Sequence, residues 1–322
     1  MPTDIMLETL PSTDHRPVSG ARPIALPARP FFWPNNSTIV RSFKRWAALA
    51  VARARLRLLA AISSERAIAA AARAFLAPPP GRFADEELAA LEEAHLMPVA
   101  FVTGRLVGWR WGRADAPLVL LMHGWGGRCT QMLPFVAPLL ARGHAVAAFD
   151  APGHGMTRGG ESSLVHFTAA IDAVLDALGP VRGIIGHSMG AAAAAVVSAR
   201  RPDAVGALAL IAPPASVERA SRRFAAVLGL AEPLRAAIQR RIENRFGIRW
   251  ADFEPERRIV EGPALIIHDA GDREVPFAEG RRYAMAWSRA RMLTTRGLGH
   301  NRILDDAATI HAAVEFVAGA RS

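Results

Sequence analysis

The sequence predicts an α/β protein, a mostly parallel sheet with helices on both faces. Three observations carry this. Six short apolar runs alternate with helical stretches: "PLVLLMHG" (117–124), "HAVAAFDAPGHG" (144–155), "VRGIIGHS" (181–188), "VGALALIAPP" (205–214), "PALIIHDAGD" (263–272) and "ARMLTTRGLGH" (290–300). Strands that alternate with helices imply crossover connections and parallel pairing. The runs are continuously apolar rather than alternating, as strands covered on both faces must be. One of them, in "GIIGHSMGAAAAA", turns from strand to helix at a serine flanked by glycines.

The elements follow in chain order. At 322 residues the chain is long for one core, so a large domain with an appendage is expected. Residues 1–37 are rich in Pro, Ser, Thr and Arg without periodicity and read as an extended tail. Residues 38–96 read as a helical extension. Its helical pattern runs from Ile39 to Leu76, breaks at "ISSER", where Ser63 or Ser64 can cap a second helix, and stops at "APPPG". In the first helix Ala47, Val51, Ala54 and Leu58 recur at helical spacing, with Phe43, Trp46 and Ala50 alongside. Arg41, Lys44, Arg45 and Arg55 fall elsewhere. Such a basic amphipathic helix, residues 39–62, could lie on an anionic membrane; packing on the chain's own main domain or on a second subunit is the preferred expectation. From residue 97 to 322 the alternating strand-and-helix pattern defines the main domain. "PVAFVTGRLVGWRWG" reads as a hairpin turning at Thr103-Gly104. Residues 215–260 interrupt the strand rhythm with helical patterns and ten arginines, and read as a small helical cap.

Composition narrows the function classes. The net charge is +10, almost entirely arginine, with Lys44 the sole lysine. No basic-aromatic interleaving of the nucleic-acid-binding kind occurs, so no nucleic-acid partner is expected. Cys129 is the single cysteine, which rules out an intramolecular disulfide and a multi-cysteine metal site. No metal is expected. The N-terminal stretch "MPTDIMLETLPSTDHR" carries acids and no apolar core, unlike a secretory signal, and no run reaches the roughly 18 apolar residues of a membrane span. A cytoplasmic location is the expectation.

The chemistry centres on Gly186-His187-Ser188-Met189-Gly190. A turn this tight leaves no room for a Cβ two residues either side of the serine, and it lifts the hydroxyl clear of the sheet at a helix N-terminus. A serine nucleophile needs a base, and the base needs an orienting acid. His300, in "GLGHNRIL", follows the last apolar run. "HDAGDREVP" offers two acids, Asp269 and Asp272. Asp269 precedes Gly271 and suits a turn; Asp272 lies further into the loop and is the preferred partner of His300. "HGWGG" supplies glycines, Gly124 among them, that let backbone approach a substrate oxygen; the expected oxyanion donors are the N–H groups of Trp125 and Met189. His123, His154 and His187 are expected to brace loops, and Cys129 to be a small core residue.

The motifs "HGWGG", "DAPGHG", "GHSMG", "HDAGDREVP" and "GLGH" occur in register, and over residues 97–320 the chain resembles the α/β-hydrolase superfamily. It looks most like bacterial members with a helical N-terminal extension. The resemblance implies an eight-stranded sheet, no cofactor, the chain order Ser188, Asp272, His300 for the triad, and acyl-enzyme chemistry on a small-molecule acyl substrate. The expected activity is that of a carboxylic ester (or thioester) hydrolase, with acyl transfer or carbon–carbon bond hydrolysis at the same triad as alternatives, and a non-catalytic binding protein a more distant one. Dehalogenase and epoxide-hydrolase chemistry would need a carboxylate where Ser188 stands. Arg219, Arg222, Arg223, Arg240, Arg241 and Arg245 make the cap basic; this suits either an anionic substrate or, as preferred, a solvated surface.

Overall fold

A computed structural model describes residues 37–79, 83–102 and 104–319, with side chains from residue 48 onward. The expected tail therefore lies outside the described residues except for Ser37. So does Thr103 of the hairpin turn.

Eight strands form the main sheet: β1 (His95–Leu96), β2 (Gly108–Trp111), β3 (Leu118–Met122), β4 (Ala145–Phe149), β5 (Gly183–His187), β6 (Leu208–Ile211), β7 (Ala264–Asp269) and β8 (Ala290–Thr295). Their spatial order is β1-β2-β4-β3-β5-β6-β7-β8. β1, β2 and β4 pair antiparallel, and every neighbouring pair from β4 to β8 is parallel. In β3 the reason for a continuous apolar run is visible. Leu118, Leu120 and Met122 face one apolar cluster, with Phe149, Phe167 and Tyr283, while Val119 and Leu121 face a second, with Phe135, Leu139 and Val314. Successive side chains point to opposite faces, and helices cover both.

The hairpin is smaller than the sequence suggests. Val99–Phe101 pairs with Gly104–Leu106 as a separate two-stranded sheet, and Gly108–Trp111 leaves it for the main sheet. The break falls at Val107, whose N–H donates to Thr157 Oγ1 (2.8 Å) and whose carbonyl accepts from Asp150 N (2.9 Å). His95–Leu96, inside the stretch assigned to the extension, forms the edge strand beside β2.

The extension begins with helices Ser37–Ile62 and Ser64–Leu76, and Ser63 caps the second by accepting the Arg66 N–H. The cap contains helices Val217–Leu228 and Glu232–Phe246. Extension and cap share a third apolar cluster: Leu56, Ala71, Ala72 and Leu76 pack with Leu228, Ile238, Ile242 and Trp250. Arg53 donates twice to the Val227 carbonyl, and Arg241 of the cap pairs with Glu65. The face that packs is not the expected one. Leu49, Ala52 and Leu56 turn inward, while Val51 and Leu58 are 67% and 64% exposed. Leu56 and Val51 belong to different stripes of one helix rich in apolar residues on several sides, and spacing alone does not choose between them. Leu56→Asp would place a charge in this cluster and is expected to lower stability by about 3 kcal/mol, read as a shift in chemical denaturation. No helix among the described residues is long and apolar enough to cross a membrane.

Candidate active site

β5 delivers Ser188 to the C-terminal edge of the sheet, and helix Met189–Arg200 leaves from it. Ser188 has φ 50° and ψ −122°, a conformation that costs a non-glycine residue about 1–3 kcal/mol. The glycines make it attainable. A Cβ on Gly190 would lie 2.3 Å from the His123 carbonyl oxygen, one on Gly186 would lie 2.7 Å from Ala191 Cα, and one on Gly124 would lie 2.9 Å from Ser188 Cβ. All three close approaches are to backbone or to the serine itself, so the neighbours cannot yield cheaply. The alanines after Gly190 are almost wholly buried, letting the helix lie close on the sheet. Gly190→Ala is expected to destabilise the fold by about 2 kcal/mol and to lower kcat, because the His123 loop must shift; a melting curve and steady-state kinetics read both.

Ser188 Oγ lies 3.0 Å from His300 Nε2, and His300 Nδ1 lies 2.7 Å from Asp272 Oδ2. All three residues are buried. Asp272 Oδ1 accepts the N–H groups of Glu274 (2.7 Å) and Val275 (2.9 Å). Burial opposes ionisation of Asp272, yet hydrogen bonding from His268, His300 and the Val275 N–H prevails and holds its pKa well below the ordinary carboxylate range. Asp272 therefore stands as an anion aimed at the imidazole.

Asp269 does not touch His300. Its Oδ1 accepts Gly271 N (2.9 Å), and its Oδ2 accepts both Thr295 Oγ1 (3.0 Å) and Leu298 N (3.0 Å). It is thus more than a turn residue. It ties the end of β7 to β8 and to the loop two residues before His300. These bonds outweigh the effect of burial and lower its pKa. Asp269→Asn turns one acceptor into a donor facing donors. The expected cost is about 2–3 kcal/mol of stability, measured by denaturant titration, with a smaller loss of kcat than at Asp272.

Two histidines hold the loop after β3 by hydrogen bonds to its backbone. His123 Nδ1 donates to the Gly124 carbonyl (2.7 Å), and its Nε2 accepts Ala151 N (3.0 Å). Burial, then the neighbouring His154, lowers its pKa to about 3, so this pattern belongs to the neutral ring. His154 Nε2 accepts Gly126 N (3.0 Å) and its Nδ1 faces the Pro152 carbonyl (3.0 Å). Gly127 N closes the turn on the Gly124 carbonyl. Among the described residues this leaves the N–H groups of Trp125 and Met189 without a protein acceptor. Cys129 is buried, and its N–H donates to Asp150 Oδ1 (2.8 Å). Burial first, then Asp150, raises the thiol pKa far above its ordinary value, so it is no thiolate at neutral pH.

Two histidines do more than their sequence positions signalled. His187 Nε2 donates to the His300 carbonyl (2.9 Å), and the two rings lie 4.7 Å apart. Burial, then proximity to His300, lowers the His187 pKa to about 3. It fastens the His300 loop to the Ser188 turn. His268 Nε2 bonds the Val275 carbonyl (3.0 Å) and sits 3.5 Å from Asp272 Oδ2. The only hint in sequence was adjacency, "GHS" and "HD".

An apolar cavity of about 530 Å³ opens on this constellation. Ser188, Met189 and Trp125 line it, together with side chains of the cap and the extension. Its size suits a small-molecule ligand.

The model of the alpha/beta hydrolase fold family matches residues 117–231, the stretch from β3 through the serine turn into the cap. The chain has the α/β-hydrolase fold. Structural likeness agrees. Est1E from Butyrivibrio proteoclasticus, solved with ferulic acid bound, superposes with a TM-score of 0.58, covering 70% of this chain and 98% of that one at 21% identity. A serine hydrolase-like protein of Danio rerio is 35% identical over 120 residues, 36% of each chain. The dihydrolipoyllysine-residue acetyltransferase component of an acetoin cleaving system in Pseudomonas putida is 39% identical over 121 residues, 35% of this chain and 31% of that one. The chain thus spans about a third of the length of these curated relatives.

Proposed function

We propose that this α/β hydrolase cleaves carboxylic esters of uncharged acyl groups through a serine-bound acyl-enzyme. The observation that carries the reading is the relay from Ser188 Oγ to His300 Nε2 (3.0 Å) and from His300 Nδ1 to Asp272 Oδ2 (2.7 Å), set at the wall of an apolar cavity. Ser188 attacks the ester carbonyl while His300 takes the hydroxyl proton. The tetrahedral oxyanion is held by the N–H groups of Trp125 and Met189, and by the positive end of helix Met189–Arg200. Asp272 keeps the His300 proton on Nδ1 and stabilises the imidazolium. His300 then protonates the departing alkoxide, and the same groups run in reverse with water to release the acid.

A cap built to bind an anion would aim arginines inward. Arg219 pairs with Glu279, Arg222 with Glu218 and Glu232, Arg245 with Glu161, and Arg223 donates to the Glu274 carbonyl. None of the six cap arginines is among the cavity's lining residues. The basic cap is therefore read as a paired, solvated surface.

A panel of p-nitrophenyl esters tests the reading. Neutral acyl esters are expected to be hydrolysed at least ~10²-fold faster than an acyl group of similar size ending in a carboxylate, since no counter-charge offsets its desolvation. Glutamate at Arg222 and Arg223 is expected to leave that ratio unchanged. Equal rates on neutral and anionic esters would remove the uncharged-acyl assignment. The relative from P. putida is named for acetyl transfer; at the Ser188 acyl-enzyme proposed for this chain, transfer and hydrolysis would differ in the acceptor that deacylates the serine. Adding methanol or a thiol to the assay shows whether either captures the acyl group ahead of water.

A further inference from the structure

The extension reaches the candidate site. Ala74, Phe75, Leu76, Ala77 and Pro79 line the same cavity as Ser188. The attachment is direct at three points. The Leu76 carbonyl accepts Ser162 N at 2.7 Å. Pro79 Cγ lies 2.7 Å from where a Cβ on Gly126 would stand, so the chain leaving the helix rests on the loop that carries Trp125. The Phe75 ring meets Phe224 edge-on, with centroids 5.2 Å apart, and lies tilted to Trp250 at 5.7 Å. Both of those cap residues also line the cavity. The three rings join extension to cap at the cavity wall.

The lining of this enclosure is mostly apolar. None of the cavity's described lining residues is charged, and the hydroxyl groups among them are those of Ser162, Ser163, Ser188 and Ser216. Ser163 is engaged by His166 Nδ1 (2.8 Å), and Ser216 Oγ accepts the Arg219 N–H. The extension contributes aliphatic and aromatic surface only. Apolar surface of this kind selects by size and shape, because it offers transfer energy in proportion to the area covered and no directional partner.

We infer that the N-terminal extension is a wall of the acyl pocket, and that Phe75 limits the size of the uncharged, apolar acyl group accepted there. The acyl group is placed in the cavity by the serine-hydrolase proposal above. The assignment to the extension comes from the lining residues.

Two variants move the wall in opposite directions. Phe75→Ala removes a ring from the lining. Ala74→Phe adds one at an exposed lining position, outside the packed face of the helix, and so spares the fold. Each is measured against p-nitrophenyl esters of graded acyl length, and against a second series with a fixed acetyl group and graded alcohols. Phe75→Ala is expected to shift the preferred acyl chain longer by at least two carbons, and Ala74→Phe to shift it shorter, with the alcohol series unmoved. A parallel series of 2-alkanones, neutral and unreactive, is titrated by tryptophan fluorescence into Ser188→Ala protein with and without each wall variant. The preferred length of ketone is expected to shift in the same directions. If both variants keep the wild-type length order in both assays, the extension is a brace and not a pocket wall. A shift confined to the alcohol series would overturn the acyl assignment. Absence of ester hydrolysis by the wild-type protein, with ketone ranking retained and responsive to the variants, would defeat the hydrolase proposal and leave the wall standing.

Discussion

Ser188→Ala is expected to lower kcat by ~10⁶, with KM changed by less than about threefold, because in the proposed reaction the hydroxyl serves chemistry rather than binding. The residual rate would come from the Trp125 and Met189 N–H groups acting on a water-attacked ester. Alanine also fits the site physically. Ser188 is 8% exposed and its Oγ bonds His300 alone among the described side chains, so truncation leaves one imidazole nitrogen facing the cavity rather than an orphan in the core. The strain at φ 50° stays, since alanine has the same Cβ. A folded Ser188→Ala protein retaining more than about a hundredth of wild-type kcat would assign the nucleophile elsewhere.

Asp272→Asn is expected to cost ~10³–10⁴ in kcat, again with little change in KM. Asp272 Oδ1 accepts two backbone N–H groups, so the asparagine oxygen is driven to that side. Its amide nitrogen then faces His300 Nδ1, and the ring must place its proton on Nε2, the nitrogen needed to accept the serine proton. Reversing the amide would set two donors against the Glu274 and Val275 N–H groups and is disfavoured by roughly 2 kcal/mol. The same contacts fix the response to acid. Because the folded pKa of Asp272 is depressed, the stability it contributes is fully present above its unfolded pKa of about 3.9 and is lost as pH falls through the lower folded value. Loss of activity between pH 5 and 7 therefore cannot be charged to Asp272. The paired measurement with Asp269→Asn, each checked by circular dichroism, separates the acid that touches the imidazole from the one that anchors its loop.

Much of this arrangement was legible in the sequence because the physics is local. The serine turn needs glycines at 186 and 190 for the close approaches that β5 and its helix impose. Asp272 could be favoured over Asp269 because one sits in turn position before Gly271 and the other lies beyond it. Strands buried on both faces leave an unbroken apolar run, and β3 to β7 were visible for that reason. What stayed hidden depends on contacts between distant segments. Val107 leaves the hairpin because Thr157 and Asp150 capture its backbone, and neither is near it in sequence. The packed stripe of the first helix is chosen by Leu228, Ile238 and Ile242 of the cap, not by its own periodicity. His187 and His268 acquire their partners only when β5, β7 and the His300 loop converge. The wall supplied by Phe75 is a property of three segments that no single window contains.

The central claim, an acyl-enzyme on Ser188, is tested most directly by covalent trapping. The full-length protein is treated with a fluorophosphonate at neutral pH, and the adduct is mapped by mass spectrometry of peptides. One phosphonyl group per chain is expected, on the peptide bearing Ser188, with labelling slowed at least a hundredfold in Asp272→Asn. Absence of any adduct, or an adduct on another residue, would contradict it.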